Sequence, residues 1–268
     1  MKIFISSDIE GTAGIAAWVE TDERKGGAWY EYFRQQMTRE VVAACEGAMD
    51  GGATSILVKD AHDTARNIDP AALPREAQIN RGWNGGLFSM VAGLSKDFDA
   101  VAFTGYHAPA GSAGNPMSHT MNNRDVDEIT INGKRAAEFH IHSYIAGMLG
   151  VPVVFVSGDA ALCKMAREFL PSITAVAVSA GEGDASTSPH PDVAVDMIRE
   201  GMRKSLATGR FSCQVDMPES FDVKVRYTTH QKAFFAAYYP GAQQLDEKTV
   251  GFVSEDYYEV LRFFHFCL

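Results

Sequence analysis

Apolar and polar positions follow a repeating order along this chain: a short apolar run, a polar break, then a stretch with the period of a helix. Residues 2–7 form the first apolar run and predict a strand that ends in Ser7-Asp8-Ile9-Glu10-Gly11. Trp29, Phe33, Met37, Val41, Cys45 and Ala48 recur at three or four residues, which predicts a helix over 28–50. Gly51-Gly52 follows it, as suits a helix C-terminus that needs positive φ. Further strands are expected at 55–59, 77–80, 99–104, 151–156 and 173–178, with helices at about 136–149, 160–169 and 191–207. Asn132-Gly133 between residues 128–131 and 134 onward is a strong two-residue hairpin signal. Residues 109–116 and 180–190 are rich in Gly, Pro and Ser and read as loops.

This rhythm predicts an α/β fold with a largely parallel sheet flanked by helices. The pattern changes near residue 211. Residues 222–227 alternate as a half-exposed strand should, 249–254 form another, and helical segments are expected at about 230–239 and 255–266. The expectation is a domain over 1–210 and a smaller C-terminal α+β subdomain over 211–268.

Composition narrows the classes of partner. The 268 residues carry a formal net charge of −10, which disfavours a nucleic-acid backbone as ligand. No apolar run approaches the ~18 residues of a membrane span. The start of the chain lacks the apolar stretch of a secretion signal, so a cytoplasmic protein is expected. Cys45, Cys163, Cys213 and Cys267 lie far apart with no C-x-x-C pair, which points to free thiols.

The chemistry-bearing residues gather where strands end. Asp8 and Glu10 follow the first predicted strand, His62 follows the second, and His107 follows the strand at 99–104. In an open α/β sheet, ligands bind beyond these carboxyl ends. Imidazole and carboxylate together suit zinc or a similar divalent ion. Acidic strand ends also serve as helix caps and turn formers, and spacing alone does not separate the two readings.

Five blocks in order carry a resemblance: Ser7-Asp8-Ile9-Glu10-Gly11, Val58-Lys59-Asp60-Ala61-His62, Gly105-Tyr106-His107-Ala108, Met117-Ser118-His119-Thr120-Met121 and Ser157-Gly158-Asp159. Together they resemble the signature of the D-aminopeptidase family, peptidase family M55. The likeness runs from residue 1 to about 178 and more loosely to the end. It implies a dinuclear zinc aminopeptidase, with two Zn2+ per subunit, that cleaves short peptides or amino-acid amides, with a preference for D-amino acids. Carried over block by block, it implies Asp8 as a carboxylate shared by both metals. Glu10, His62, His107 and Glu138 become the other ligands, and His119 the catalytic histidine on a loop over the site. A ring-like homodecamer is implied by the same analogy.

Other residues invite plainer readings. Asp60 is expected in a turn, Asp159 in a structural role, and His142, one helical turn after Glu138, in support or packing. His190, His230 and His265 read as core or surface residues, and Phe234-Phe235 and Phe263-Phe264 as core or subunit interface. Ser179 to Asp184 is neutral to acidic where the family commonly has basic residues, so the metal chemistry transfers better than the substrate does. Two rival functions are a Mg2+-dependent phosphatase of the haloacid dehalogenase type, suggested by Asp8-Ile9-Glu10-Gly11-Thr12, and a non-catalytic ring-forming relative.

Overall fold

The apolar runs become strands and the stretches of helical period become helices in the computed structural model, which describes residues 1–207 and 210–268. In chain order they are β1 (Lys2–Ser7), α1 (Gly27–Asp50), β2 (Ser55–Asp60), β3 (Ala77–Asn80), β4 (Ala100–Tyr106), β5 (Val126–Ile131) and β6 (Lys134–Arg135). There follow α2 (Glu138–Met148), β7 (Val153–Asp159), α3 (Ala160–Phe169), β8 (Thr174–Glu182), β9 (Ala185–Thr187) and α4 (Pro191–Ala207). The chain ends with β10 (Phe221–Tyr227), α5 (His230–Ala236), β11 (Gln243–Gln244), β12 (Thr249–Ser254) and α6 (Tyr257–Cys267).

The main sheet has the order β3-β2-β1-β4-β7-β8-β9 and is parallel except for the terminal β8–β9 pair. From β1 the chain moves outward to β2 and β3, then returns to the other side of β1 for β4. This reversal opens a crevice between the ends of β1 and β4, the usual ligand position in such sheets. In register, Ser7 of β1 lies beside both Asp60 of β2 and Thr104 of β4, so the three segments that follow emerge at one rim.

Side chains on each inner strand alternate between two cores, the period-two rule of a pleated strand. Ile3 and Ile5 face the core shared with α1 and α4, while Phe4 faces the core shared with α2 and α6. Ala100 and Ala102 of β4 join the first core, and Val101 and Phe103 the second. Helices α1 and α4 lie close enough that a Cβ on Gly47 would fall 2.2 Å from the Arg199 carbonyl oxygen. Only glycine allows that approach.

A second sheet, β11-β12-β10-β5-β6, is antiparallel throughout. It draws the 126–135 hairpin out of the first 210 residues and pairs β5 with β10. The layer therefore is not built from residues 211–268 alone. Long-range pairing decides this, and no local pattern encodes it. The expected division at 210/211 adjoins residues 208 and 209, which lie outside the described residues.

One segment departs from expectation. Residues 180–190, read as a loop, contain the end of β8 and all of β9, joined through Gly183 at φ +59°. Backbone pairing builds this arm despite its weak strand propensity. It is also pinned from the side, where Gly181 N–H donates to the Gly114 carbonyl at 3.1 Å. β7 runs to Asp159 instead of stopping at 156, and Asp159 then caps α3 by accepting from Leu162 N–H at 2.7 Å.

Candidate metal centre and active-site cavity

The rim above β1, β2 and β4 collects the expected residues in one place. Asp8, Glu10, His62, His107 and Glu138 are all buried, and His119 is partly so. His62 Nδ1 lies 3.2 Å from Asp8 Oδ1 and 3.1 Å from Glu10 Oε2. His107 Nε2 lies 3.4 Å from Asp8 Oδ2 and 3.6 Å from Glu138 Oε2. Asp8 thus turns one oxygen toward each imidazole. His119 Nε2 stands 3.7 Å from Glu138 Oε1, and its ring stacks on that of His107 with centroids 4.4 Å apart.

Local structure sets each orientation. Gly105, at φ +68°, lets β4 pass so near the end of β1 that a Cβ there would fall 2.1 Å from the Asp8 carbonyl oxygen. Glu138 opens α2 and accepts from Met121 N–H at 2.7 Å, which ties the loop bearing His119 to the helix. Every imidazole is anchored by its far nitrogen to a backbone carbonyl. His62 Nε2 contacts Thr21 O at 2.9 Å, His107 Nδ1 contacts Ala108 O at 2.9 Å, and His119 Nδ1 contacts Met117 O at 3.0 Å. A carbonyl only accepts, so the anchored nitrogen holds a proton and the other is left for the cavity.

Electrostatics point the same way. Burial opposes the charge on Asp8, yet contacts with His107 and His62 bring its pKa down to about 2. Burial likewise opposes the charge on Glu138, and His107 brings that group to about 2. Burial disfavours imidazolium at His62 and His107, but Glu10 and Asp8 around the one and Glu138 and Asp8 around the other raise both well above the ordinary value. Three buried carboxylates in this space demand positive charge.

The residues fit a divalent cation on two observations. Two triplets, Asp8–Glu10–His62 and Asp8–His107–Glu138, each bring their donor atoms within 4.8 Å of one another and share Asp8. A third grouping, Glu10–His107–His119, overlaps them. Glu10 Oε2 and His107 Nε2 are buried without a hydrogen-bond partner among the described residues, although each lies near an oppositely disposed group. Close approach without hydrogen-bond geometry is what donors turned toward a common cation show.

The remaining expectations resolve into structure. Asp60 accepts from Asn67 N–H at 2.6 Å and Ile68 N–H at 2.8 Å and so holds a turn. Asp159 caps α3 and accepts from Ala108 N–H at 2.6 Å, next to His107. His140 Nδ1 accepts from Ala137 N–H at 3.0 Å, and burial lowers its pKa to about 4. His142 Nδ1 meets the Glu138 carbonyl at 2.7 Å, and burial likewise lowers its pKa.

Asp8, Glu10, His62, His119 and Glu138 line a cavity of about 960 Å³. Its walls include residues with no warning in the sequence. Trp18, from a 3-10 turn over Trp18–Glu20, meets the His119 ring edge-on at 5.1 Å. Trp83 donates from Nε1 to the Asp63 carbonyl at 2.6 Å, and the buried Lys59 ammonium lies 4.6 Å from its ring centroid. Arg24 bonds to Asp22 and Asp63 across the mouth. These residues sit in irregular segments, and only an exposed aromatic in a loop hints at them.

The fold and rim have known counterparts. A D-aminopeptidase of Bacillus subtilis (strain 168) is 36% identical over 178 residues, 66% of this chain and 63% of that enzyme's length. The solved structure of DppA from Bacillus subtilis, described as a Zn-dependent D-aminopeptidase and a self-compartmentalizing protease, superposes with a TM-score of 0.89. It is 29% identical, and the match covers 98% of this chain and 95% of that one. The family model for peptidase M55, described as D-aminopeptidase, matches residues 1–266, and the chain belongs to that family.

Proposed function

We propose that this protein is a dinuclear zinc aminopeptidase that hydrolyses the first peptide bond of short peptides or amino-acid amides, with a preference for D-residues. The observation that carries this reading is the pair of donor triplets joined through Asp8. Glu10 and His62 would hold one ion and His107 and Glu138 the other, with Asp8 common to both donor sets. When bound, the two ions supply Lewis-acid polarisation of the scissile carbonyl and activation of water.

The chain's own groups do the rest. His119 is the proton carrier, with Nδ1 anchored on Met117 O and Nε2 turned toward Glu138 Oε1 at 3.7 Å on the cavity wall. An imidazole can both take a proton from water and deliver one to the departing amine. The Trp18 ring beside it limits rotation and keeps bulk water from one side. The loop over 109–116 leads to His119 and is tied to the rim, where Asn115 Nδ2 donates to the Glu10 carbonyl at 3.0 Å.

Family membership and three carbonyl-anchored histidines weigh against the phosphatase reading, whose Mg2+ chemistry has no use for them. The full donor set weighs against a non-catalytic relative.

Exposed aromatics on α5, the turn after it and α6, Phe235 at 73%, Tyr238 at 74% and Phe266 at 64%, support association into a homo-oligomer. The relative's description as self-compartmentalizing is consistent with a closed ring, for which we propose ten copies. We further propose a cytoplasmic location, supported by four free thiols and a pI of about 5.3. A division into residues 1–210 and 211–268 is proposed as well, with the 126–135 hairpin reaching across it.

The deciding experiment is elemental analysis of purified protein with assays on paired D- and L-alanyl amides and dipeptides, before and after chelation. Two zinc ions per chain and turnover lost with the metal are expected. Metal-loaded protein that cleaves none of the panel would overturn the reading.

A further inference from the structure

The cavity is also lined by His142, an imidazole that belongs to none of the donor groups. His142 follows Glu138 by one turn of α2 and keeps 1% of its surface exposed. Its Nδ1 contacts the Glu138 carbonyl oxygen at 2.7 Å. Since that oxygen can only accept, Nδ1 is the protonated nitrogen and Nε2 carries the lone pair. Nε2 has no hydrogen bond or ion pair among the described residues, nor is it among the unpartnered atoms sealed from solvent. It is a fixed acceptor open to the cavity.

An enzyme that trims amino termini must recognise an ammonium group. The rim carboxylates, Asp8, Glu10 and Glu138, are all engaged in the two donor triplets. At the mouth, Asp22 and Asp63 are both held by Arg24. His142 stands next to the rim on a rigid helix, without a partner and outside every metal grouping. A neutral acceptor adds no charge near the metals. It also discriminates, because a ligand without the amine leaves it unpaired.

We propose that His142 Nε2 accepts a hydrogen bond from the ammonium group of the bound peptide and thereby selects substrates with a free amino terminus. This rests on the aminopeptidase reading. It makes His142 a binding residue, distinct from the metal ligands and from the proton carrier.

The test uses zinc-loaded protein and two hydroxamates that differ only in the amine: alanine hydroxamate, in both configurations, and propanohydroxamate. Binding is measured by calorimetry, with zinc content determined for each sample. His142→Asn keeps a donor near Nδ1 and removes the acceptor at Nε2. His142→Gln returns an oxygen near the Nε2 position. The asparagine variant is expected to bind alanine hydroxamate at least tenfold more weakly, the scale of a hydrogen bond to a charged group. Propanohydroxamate affinity and zinc content should not change, and glutamine should recover part of the loss. Equal losses for both ligands, no loss for either, or no preference of the unaltered protein for the amine would overturn the proposal. Loss of zinc from either variant would do so too, by making His142 a metal ligand. Failure of the unaltered protein to cleave any alanyl peptide would instead strike the aminopeptidase reading, which these affinities do not measure.

Discussion

Replacing Glu40 by glutamine should change how stability depends on pH. Glu40 lies on α1, buried at 1% exposure, beneath the loop that follows Glu10. Its Oε1 accepts from Ala13 N–H at 3.0 Å and from Gln36 Nε2 at 3.1 Å, while Oε2 has no partner among the described residues. Burial pushes its pKa from the ordinary 4.5 to about 7. Between those values the folded protein keeps a proton that the unfolded chain has released, so stability falls as pH rises. At ~1.36 kcal/mol per pH unit, the loss is about 3 kcal/mol, complete above neutrality and absent below pH 4.5. Glu40→Gln keeps an acceptor for Ala13 and cannot ionise. Unfolding free energies from urea titrations of the two proteins should match near pH 4 and diverge by about 3 kcal/mol, in favour of the variant, near pH 8. Taking the difference cancels the titration of the metal site, which both share. A difference that stays constant from pH 4 to pH 8 would show that Glu40 ionises normally and refute the reasoning.

Three further outcomes can be checked. His119→Ala should lower kcat by a factor of ~10² to 10⁴, the usual worth of a positioned proton carrier, with zinc content unchanged by elemental analysis. Asp8→Asn should weaken zinc at both positions, whereas Glu10→Gln or Glu138→Gln should affect mainly one, as titration with a chromogenic chelator would report. Gly105→Ala forces a Cβ to within 2.1 Å of the Asp8 carbonyl and should cost ~1–3 kcal/mol or more, with reduced zinc retention in what folds; calorimetry and metal analysis read both.

The sequence disclosed the rim more readily than the walls. Asp8, His62 and His107 stand within two residues of strand ends, and parallel strands send those ends to one side. Their convergence follows from local pattern plus a single topological rule. Glu138 was reachable only through family likeness, since a glutamate in a first helical turn is commonplace. Trp18 and Trp83 were out of reach. Their positions depend on contacts such as Trp83 with Lys59 and Asp63, made by irregular chain with no period to read. The β8–β9 arm was missed for a related reason. Gly and Ser weaken strand propensity, and the pairing that overrides it comes from the neighbouring strand. The hairpin at Asn132-Gly133 was plain, but its partner β10 lies some ninety residues onward, and local reasoning cannot name it.

That partnership ties distant parts of the molecule together. β5 and β6 are stitched into the antiparallel layer, and three residues after β6 the chain delivers Glu138. Only Ala136 and Ala137 separate β6 from Glu138, so a change in the outer layer that slips β10 by one position against β5 would travel through this short tether and drag a carboxylate out of reach of His107. The strand alignment of that layer is therefore as constrained as the chemistry it never touches.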